Sequence, residues 1–199
     1  MEILRCNKRS SDREPGPQWP DHTTSSQASH AQRTSRTLPF PCNPTTDIED
    51  LPKVDRAHYA PSAPYQDSPQ TLGHRATISA PHMHASACES LLPYLHPGAT
   101  VLDVGSGSGY LTHVLAELVQ PGGKVVGVEH IQPLVDMGTR DTRKSAEGSA
   151  LMESGGIKYV KGDGRLGWKE GAPYDAIHVG AAAADFHQPL IEQLKAPGR

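Results

Sequence analysis

Apolar and polar positions are unevenly distributed along this chain. Residues 1 to 50 form a polar tract rich in Ser, Thr, Pro, Arg and Gln, without usable periodicity. Such a tract buries too little apolar surface to offset its ordering entropy, so a disordered head is expected there. A mitochondrial transit peptide is the competing reading of its arginines and serines, but Glu2, Asp12, Glu14 and Asp21 are wrong for that acid-poor class.

From about residue 75 the pattern alternates between helical and extended signals. Ser79, Ala80 and Pro81 read as a helix start, followed by Cys88, Leu91, Leu92 and Leu95 at the spacing of one buried helical face, with Pro97 and Gly98 as the stop. Val101 to Gly105 reads as a strand. Leu111, Val114, Leu115 and Leu118 then mark the apolar face of a helix that ends at Pro121, Gly122 and Gly123. Further strands are predicted at Lys124 to Glu129, Ile157 to Val160 and Asp175 to Val179, with helical stretches at Leu134 to Arg143 and Pro189 to Leu194. Strands alternating with helices imply crossover units, hence an α/β fold: an open, doubly wound, mostly parallel sheet.

Composition narrows the setting. A chain of 199 residues supports one domain with a core, assigned to residues 51–199. The net charge of −3 supplies no basic field for nucleic acid or an acidic membrane surface, so neither partner is expected. Cys6, Cys42 and Cys88 are odd in number and lack metal or redox spacing, which fits a reducing cytoplasmic compartment. His82 and His84, two apart on a helix, point to different faces, and no His/Cys set has ligand spacing, so no metal is expected. His178, inside an apolar strand, is expected to be a hydrogen-bonded core histidine. Tyr159, Trp168 and the alanines from Ala181 are read as packing and pocket wall, and His58 and Tyr59 as structural or as flanking a substrate groove.

The candidate chemistry sits at strand ends. Gly105, Gly107 and Gly109 in VLDVGSGSG let bare backbone approach a ligand, since glycine carries no Cβ and accepts positive φ. Tyr110 occupies the place where a dinucleotide fingerprint needs a small residue, which weakens a nicotinamide reading. Glu129, closing the second strand about twenty residues after the loop, can accept from ribose hydroxyls. Asp163, in GDGR, can accept from an adenine amine or bond its own turn. Asp103, just before the loop, is expected to accept from loop N–H groups or to face a cationic ligand, because an unpartnered buried carboxylate is costly.

The segments VDRAHYAP (54–61), YQDSP (65–69), ATISAPHMHA (76–85), LDVGSGSGYLT, GDGR and PYDAIHVGAAA (173–183) resemble the protein-L-isoaspartate O-methyltransferase family. The resemblance implies a Rossmann-like class I methyltransferase fold, S-adenosyl-L-methionine as cofactor with S-adenosyl-L-homocysteine as product, and methylation of isoaspartyl or D-aspartyl carboxylates in damaged proteins and peptides. By matched position it makes Ala76, Thr77, Ile78 and Ser79 the loop between donor and acceptor, with Ser79 the active-site serine. His84, Glu129, Asp163 and Gly164 would contact the cofactor together with Asp103, Gly105, Ser106, Gly107 and Gly109. Ser79 also reads as a helix N-cap, which would leave its own proton free to donate.

Two departures from the family accompany the match. The polar head lacks the family's opening helices, and the chain stops at Arg199, where the family's fifth strand begins. The sheet is therefore expected to lack its last three strands, which would leave 176–179 as an exposed apolar edge. An intact member is expected to be monomeric. The alternative reading is a non-catalytic remnant that binds S-adenosyl-L-methionine or a partner.

Overall fold

The computed structural model describes residues 54–183 and 185–199. The expected disordered head lies outside the described residues.

The four strands expected from the sequence form one parallel sheet. In the numbering used from here on, β1 (Gln70–Gly73) and β2 (Ala76–Ile78) form a separate antiparallel hairpin, and β3 (Thr100–Val104), β4 (Lys124–Glu129), β5 (Ile157–Lys161) and β6 (Ala176–Val179) make the sheet. Its order is β5-β4-β3-β6, every pair parallel. The chain moves outward from β3 to β5 and then returns to the far side of β3, so the direction reverses between β3 and β6. Ligands bind open α/β sheets at the carboxyl ends beside such a reversal.

Alternating side chains divide the core between the two faces of the sheet. Val101, Val125, Ile157 and Ala176 pack with α1 (Pro81–Leu91) and α2 (Tyr110–Leu118), whereas Leu102, Val104, Val126, Val128 and Val160 pack with Tyr174 and Leu190 on the opposite face. Helix α2 is buried on nearly all sides, because Tyr59, Ile78 and α1 join the same cluster. Helices α3 (Gln132–Thr142) and α4 (Ala146–Glu153) follow β4 on that side, and α5 (Gln188–Glu192) carries Leu190 on the other.

Several expectations change. Helix α1 ends at Leu91 rather than at Pro97, and a 3-10 turn takes over at Leu92–Tyr94. Pro93 has no N–H to continue the ladder, and its ring clashes with the preceding turn. Ala80, not Ser79, is the N-cap of α1, with no side-chain capping bond. The segment 76–79 is mostly strand, since Ala76–Ile78 pairs with β1 and Ser79 lies in the two-residue linker to α1. The outer edge of β6 is also less bare than expected. Tyr174 bridges Leu194 in parallel, the Ile177 N–H donates to the Arg199 carbonyl at 2.7 Å, and Val179 remains 41% exposed. Among the described residues no helix is long and apolar enough to cross a membrane.

Candidate active site

The loop after β3 is shaped by its glycines. Gly109 has φ +85°, and a Cβ there would run into the Tyr159 hydroxyl and the Cα of Gly138, so both backbone conformation and space require glycine. Gly105, at φ +80°, lies against the backbone of Gly180. The N–H groups of Gly105 and Ser106 share the Val128 carbonyl at 2.8 and 3.2 Å, which ties the loop to the end of β4.

Glu129 ends β4 and is buried. Its Oε1 accepts from the N–H groups of His130 (2.8 Å) and Ile131 (3.1 Å), and its Oε2 accepts from the Gly107 N–H at 3.3 Å. The loop N–H therefore goes to Glu129 rather than to Asp103, which corrects the expectation for Asp103. Strand alternation turns Asp103 under α2, where it is 1% exposed. There it accepts from the Thr112 hydroxyl at 2.6 Å and pairs with His178 Nδ1 at 2.8 Å. Burial pulls the His178 imidazole toward neutrality, but the hydrogen bond and charge of Asp103 outweigh it and raise its pKa above the ordinary value. His178 is thus hydrogen-bonded, as expected, but half-buried rather than in the core.

A cavity of about 740 Å³ opens at the carboxyl end of the sheet. Its wall includes the last residue of every parallel strand, Val104, Glu129, Lys161 and Val179. Gly105, Asp163 and Gly164 line it as well, and Ala181, Ala182 and Ala183 supply an apolar side. Asp163 caps the turn after β5: its carboxylate accepts from the Arg165 N–H at 3.0 Å and from the Arg165 guanidinium at 2.6 Å. The guanidinium first, then the backbone bond, lower its pKa to about 2. A Cβ on Gly164 would collide with the Val104 side chain, so this turn can sit close to β3 only with glycine there.

The residues just ahead of α1 and on its first turn lie elsewhere. Ala76, Thr77, Ile78, Ser79 and His84 do not line the cavity, and neither do Ser106, Gly107 and Gly109. Leu72 of the hairpin nevertheless sits beside Gly107. Ser106 is buried, and its hydroxyl finds no partner among the described residues. Ser79 is half-buried, with its carbonyl accepting from Arg56 Nη2 at 2.6 Å. His84 Nδ1 meets Arg56 Nη1 at 3.0 Å, and its ring lies 5.2 Å from that of Tyr110. Burial, reinforced by the Arg56 charge, lowers the His84 pKa to about 4. His82, two residues earlier, instead pairs with Asp67 at 2.7 Å.

Two residues are more central than their sequence context suggested. Tyr159, read as packing, donates to the Gly109 carbonyl at 3.1 Å and lies 2.8 Å from the Thr142 hydroxyl. Arg56 joins Ser79 to His84, although nothing in its local pattern marks an interior cation. Tyr59 proves structural: it is 3% exposed, with its hydroxyl 2.6 Å from His113 Nδ1.

Comparisons with known proteins agree with this geometry. Residues 45–199 match the family described as protein-L-isoaspartate(D-aspartate) O-methyltransferase. The chain is 54% identical over 153 residues to a protein-L-isoaspartate O-methyltransferase of Triticum aestivum, covering 76% of this chain and 66% of the relative. It is 49% identical over 149 residues to one of Caenorhabditis elegans, covering 75% and 65%. A Plasmodium falciparum structure described as a protein of this kind in complex with S-adenosyl-L-homocysteine superposes with a TM-score of 0.69 at 33% identity, covering 77% of this chain and 75% of that one. The fold is thus the Rossmann-like class I methyltransferase fold. The chain spans just under two thirds of the length of the wheat and nematode relatives. On the extent of these matches, it belongs to the protein-L-isoaspartate(D-aspartate) O-methyltransferase family.

Proposed function

We propose that this protein transfers a methyl group from S-adenosyl-L-methionine to the free carboxylate of L-isoaspartyl or D-aspartyl residues in damaged proteins and peptides. The observation that carries this reading is the convergence of all four strand ends, Val104, Glu129, Lys161 and Val179, on one cavity beside Gly105. Its volume of about 740 Å³ falls in the ordinary range of small-molecule sites.

The residues present fit a nucleoside cofactor. Gly105 keeps the loop open for backbone contact, Glu129 and Asp163 offer acceptors at successive strand ends, and the alanines from Ala181 give an apolar wall. The Ser106 hydroxyl, without a partner among the described residues, is a buried donor in the same loop. A bound sulfonium would supply an electrophilic methyl carbon and a neutral leaving group.

The remaining work falls to the chain. A peptide carboxylate, with an ordinary pKa of about 4, is already ionised at neutral pH and needs no general base. It needs alignment and exclusion of water, which act through proximity and desolvation. Among the described residues the Ser79 hydroxyl makes no cap bond, so it is available to donate to an acceptor carboxylate without adding charge.

The test is labelled methyl transfer from S-adenosyl-L-methionine to a short isoaspartyl peptide, with the aspartyl peptide as control. Base-labile methyl ester on the isoaspartyl peptide alone is expected. Absence of transfer above the control would overturn the reading.

A further inference from the structure

Arg56 is an interior cation that touches no carboxylate among the described residues. Its side chain is 2% exposed, and its guanidinium takes part in no ion pair among the described residues. Nη2 donates to the Ser79 carbonyl at 2.6 Å, Nη1 lies 3.0 Å from His84 Nδ1, and the group stands 5.0 Å from the centre of the Tyr110 ring. Nε is buried with no partner among the described residues. Its direct contacts are a carbonyl, an imidazole and an aromatic face, all neutral; the acid that acts on its charge from farther off, Asp67, is exposed and already paired with His82.

A buried charge left without a counter-ion is destabilising, and proteins that need only a strut pair such a group with a carboxylate. The lack of a direct ion pair among the described residues matters because of where the charge sits. The guanidinium grips the linker that carries Ser79, and the acceptor in the proposed reaction is an anion.

We propose that Arg56 is a positioning residue for the acceptor carboxylate. Its fork fixes the linker between β2 and α1 through the Ser79 carbonyl, and its charge, offset only from a distance by the exposed Asp67, gives that side of the site the positive potential that holds a peptide carboxylate beside Ser79. This inference rests on the reading of Ser79 as facing the acceptor. Arginine suits both tasks, because its planar fork reaches two acceptors while the charge is permanent.

The test is equilibrium binding of a fluorescent isoaspartyl peptide to protein saturated with S-adenosyl-L-homocysteine, measured by anisotropy for wild type, Arg56→Gln and Arg56→Lys. Arg56→Gln is expected to weaken peptide binding about tenfold or more, while the affinity for S-adenosyl-L-homocysteine changes less than about twofold. Arg56→Lys keeps the charge with a single donor atom and is expected to lose about threefold. A purely structural role would lower both affinities together or neither, and either result overturns the inference. Should Arg56→Gln fail to bind S-adenosyl-L-homocysteine at all, Arg56→Lys decides, and unchanged peptide affinity in that variant refutes the proposal. If wild type itself binds no isoaspartyl peptide, the functional reading falls and this inference with it. Wild-type binding that survives undiminished in Arg56→Gln removes the inference alone.

Discussion

The hydroxyl of Tyr159 on β5 donates to the carbonyl of Gly109, 50 residues earlier, at 3.1 Å. The same ring fills the space that a side chain at 109 would occupy. The glycine loop is thus held by contact with the sheet as well as by its own backbone.

Gly109→Ala should therefore be costly. Alanine at φ +85° is strained, and its methyl would displace Tyr159, so a loss of about 2 to 4 kcal/mol in unfolding free energy is expected. Urea denaturation of the two proteins measures it. A change below about 0.5 kcal/mol would show that the loop relaxes freely.

Glu129→Gln removes a carboxylate that accepts three backbone N–H groups. Charge-assisted bonds of this kind contribute about 1.5 to 3 kcal/mol each, and the amide keeps one acceptor oxygen of the two. Affinity for S-adenosyl-L-homocysteine, measured by calorimetry, should fall about tenfold or more. Equal affinity would mean that Glu129 serves the loop alone.

Ser79→Ala separates the two roles considered for that residue. Since Ala80 is the cap, the stability cost should stay below about 0.5 kcal/mol, less than the ~1 kcal/mol of a lost cap. Turnover of isoaspartyl peptide should drop far more than cofactor affinity. An unchanged methylation rate would remove Ser79 from the site chemistry.

His84 should make the fold acid-sensitive. Its pKa falls from the ordinary 6.5 to about 4 in the folded protein, so the unfolded chain binds the extra proton between those values. Stability from this group is complete above pH 6.5 and declines as pH drops toward 4, by about 3 kcal/mol in all. His178 acts with the opposite sign, because Asp103 raises its pKa: its contribution is complete below 6.5 and is lost as pH rises through the higher folded value. Imidazole NMR titration should find His84 neutral and His178 protonated at pH 6. Asp103→Asn should bring the His178 midpoint down, and an unmoved midpoint would contradict the pairing.

Much of the fold was legible because its signals are local. β4 spans Lys124–Glu129, as its apolar run indicated, and Leu111, Val114, Leu115 and Leu118 are all buried on α2. What escaped has physical reasons. The hairpin β1–β2 turns through positive φ at Gly73, His74 and Arg75, and two of these residue types rarely signal a turn. Helix α4 buries Gly148, and its larger apolar residues Leu151 and Met152 are adjacent and only half-buried, so it shows no apolar stripe. Its start is marked by Ser145, which accepts from the Gly148 N–H at 3.1 Å. Pro93 ended α1 early against an apolar spacing that continued to Leu95.

The site divides in the same way. The glycine loop, the acids closing β4 and β5, and the parallel order of elements could be read from the chain, because glycine conformation and strand periodicity depend on neighbours in the chain. Tertiary structure decided which acid meets which partner. Alternation on β3 turned Asp103 toward Thr112 and His178, and left Glu129 to take the loop N–H. It also carried Arg56 from a polar stretch into the interior beside Ser79 and His84. Such pairings join residues from 9 to 75 positions apart, and only the packing of one element on another fixes distances between them.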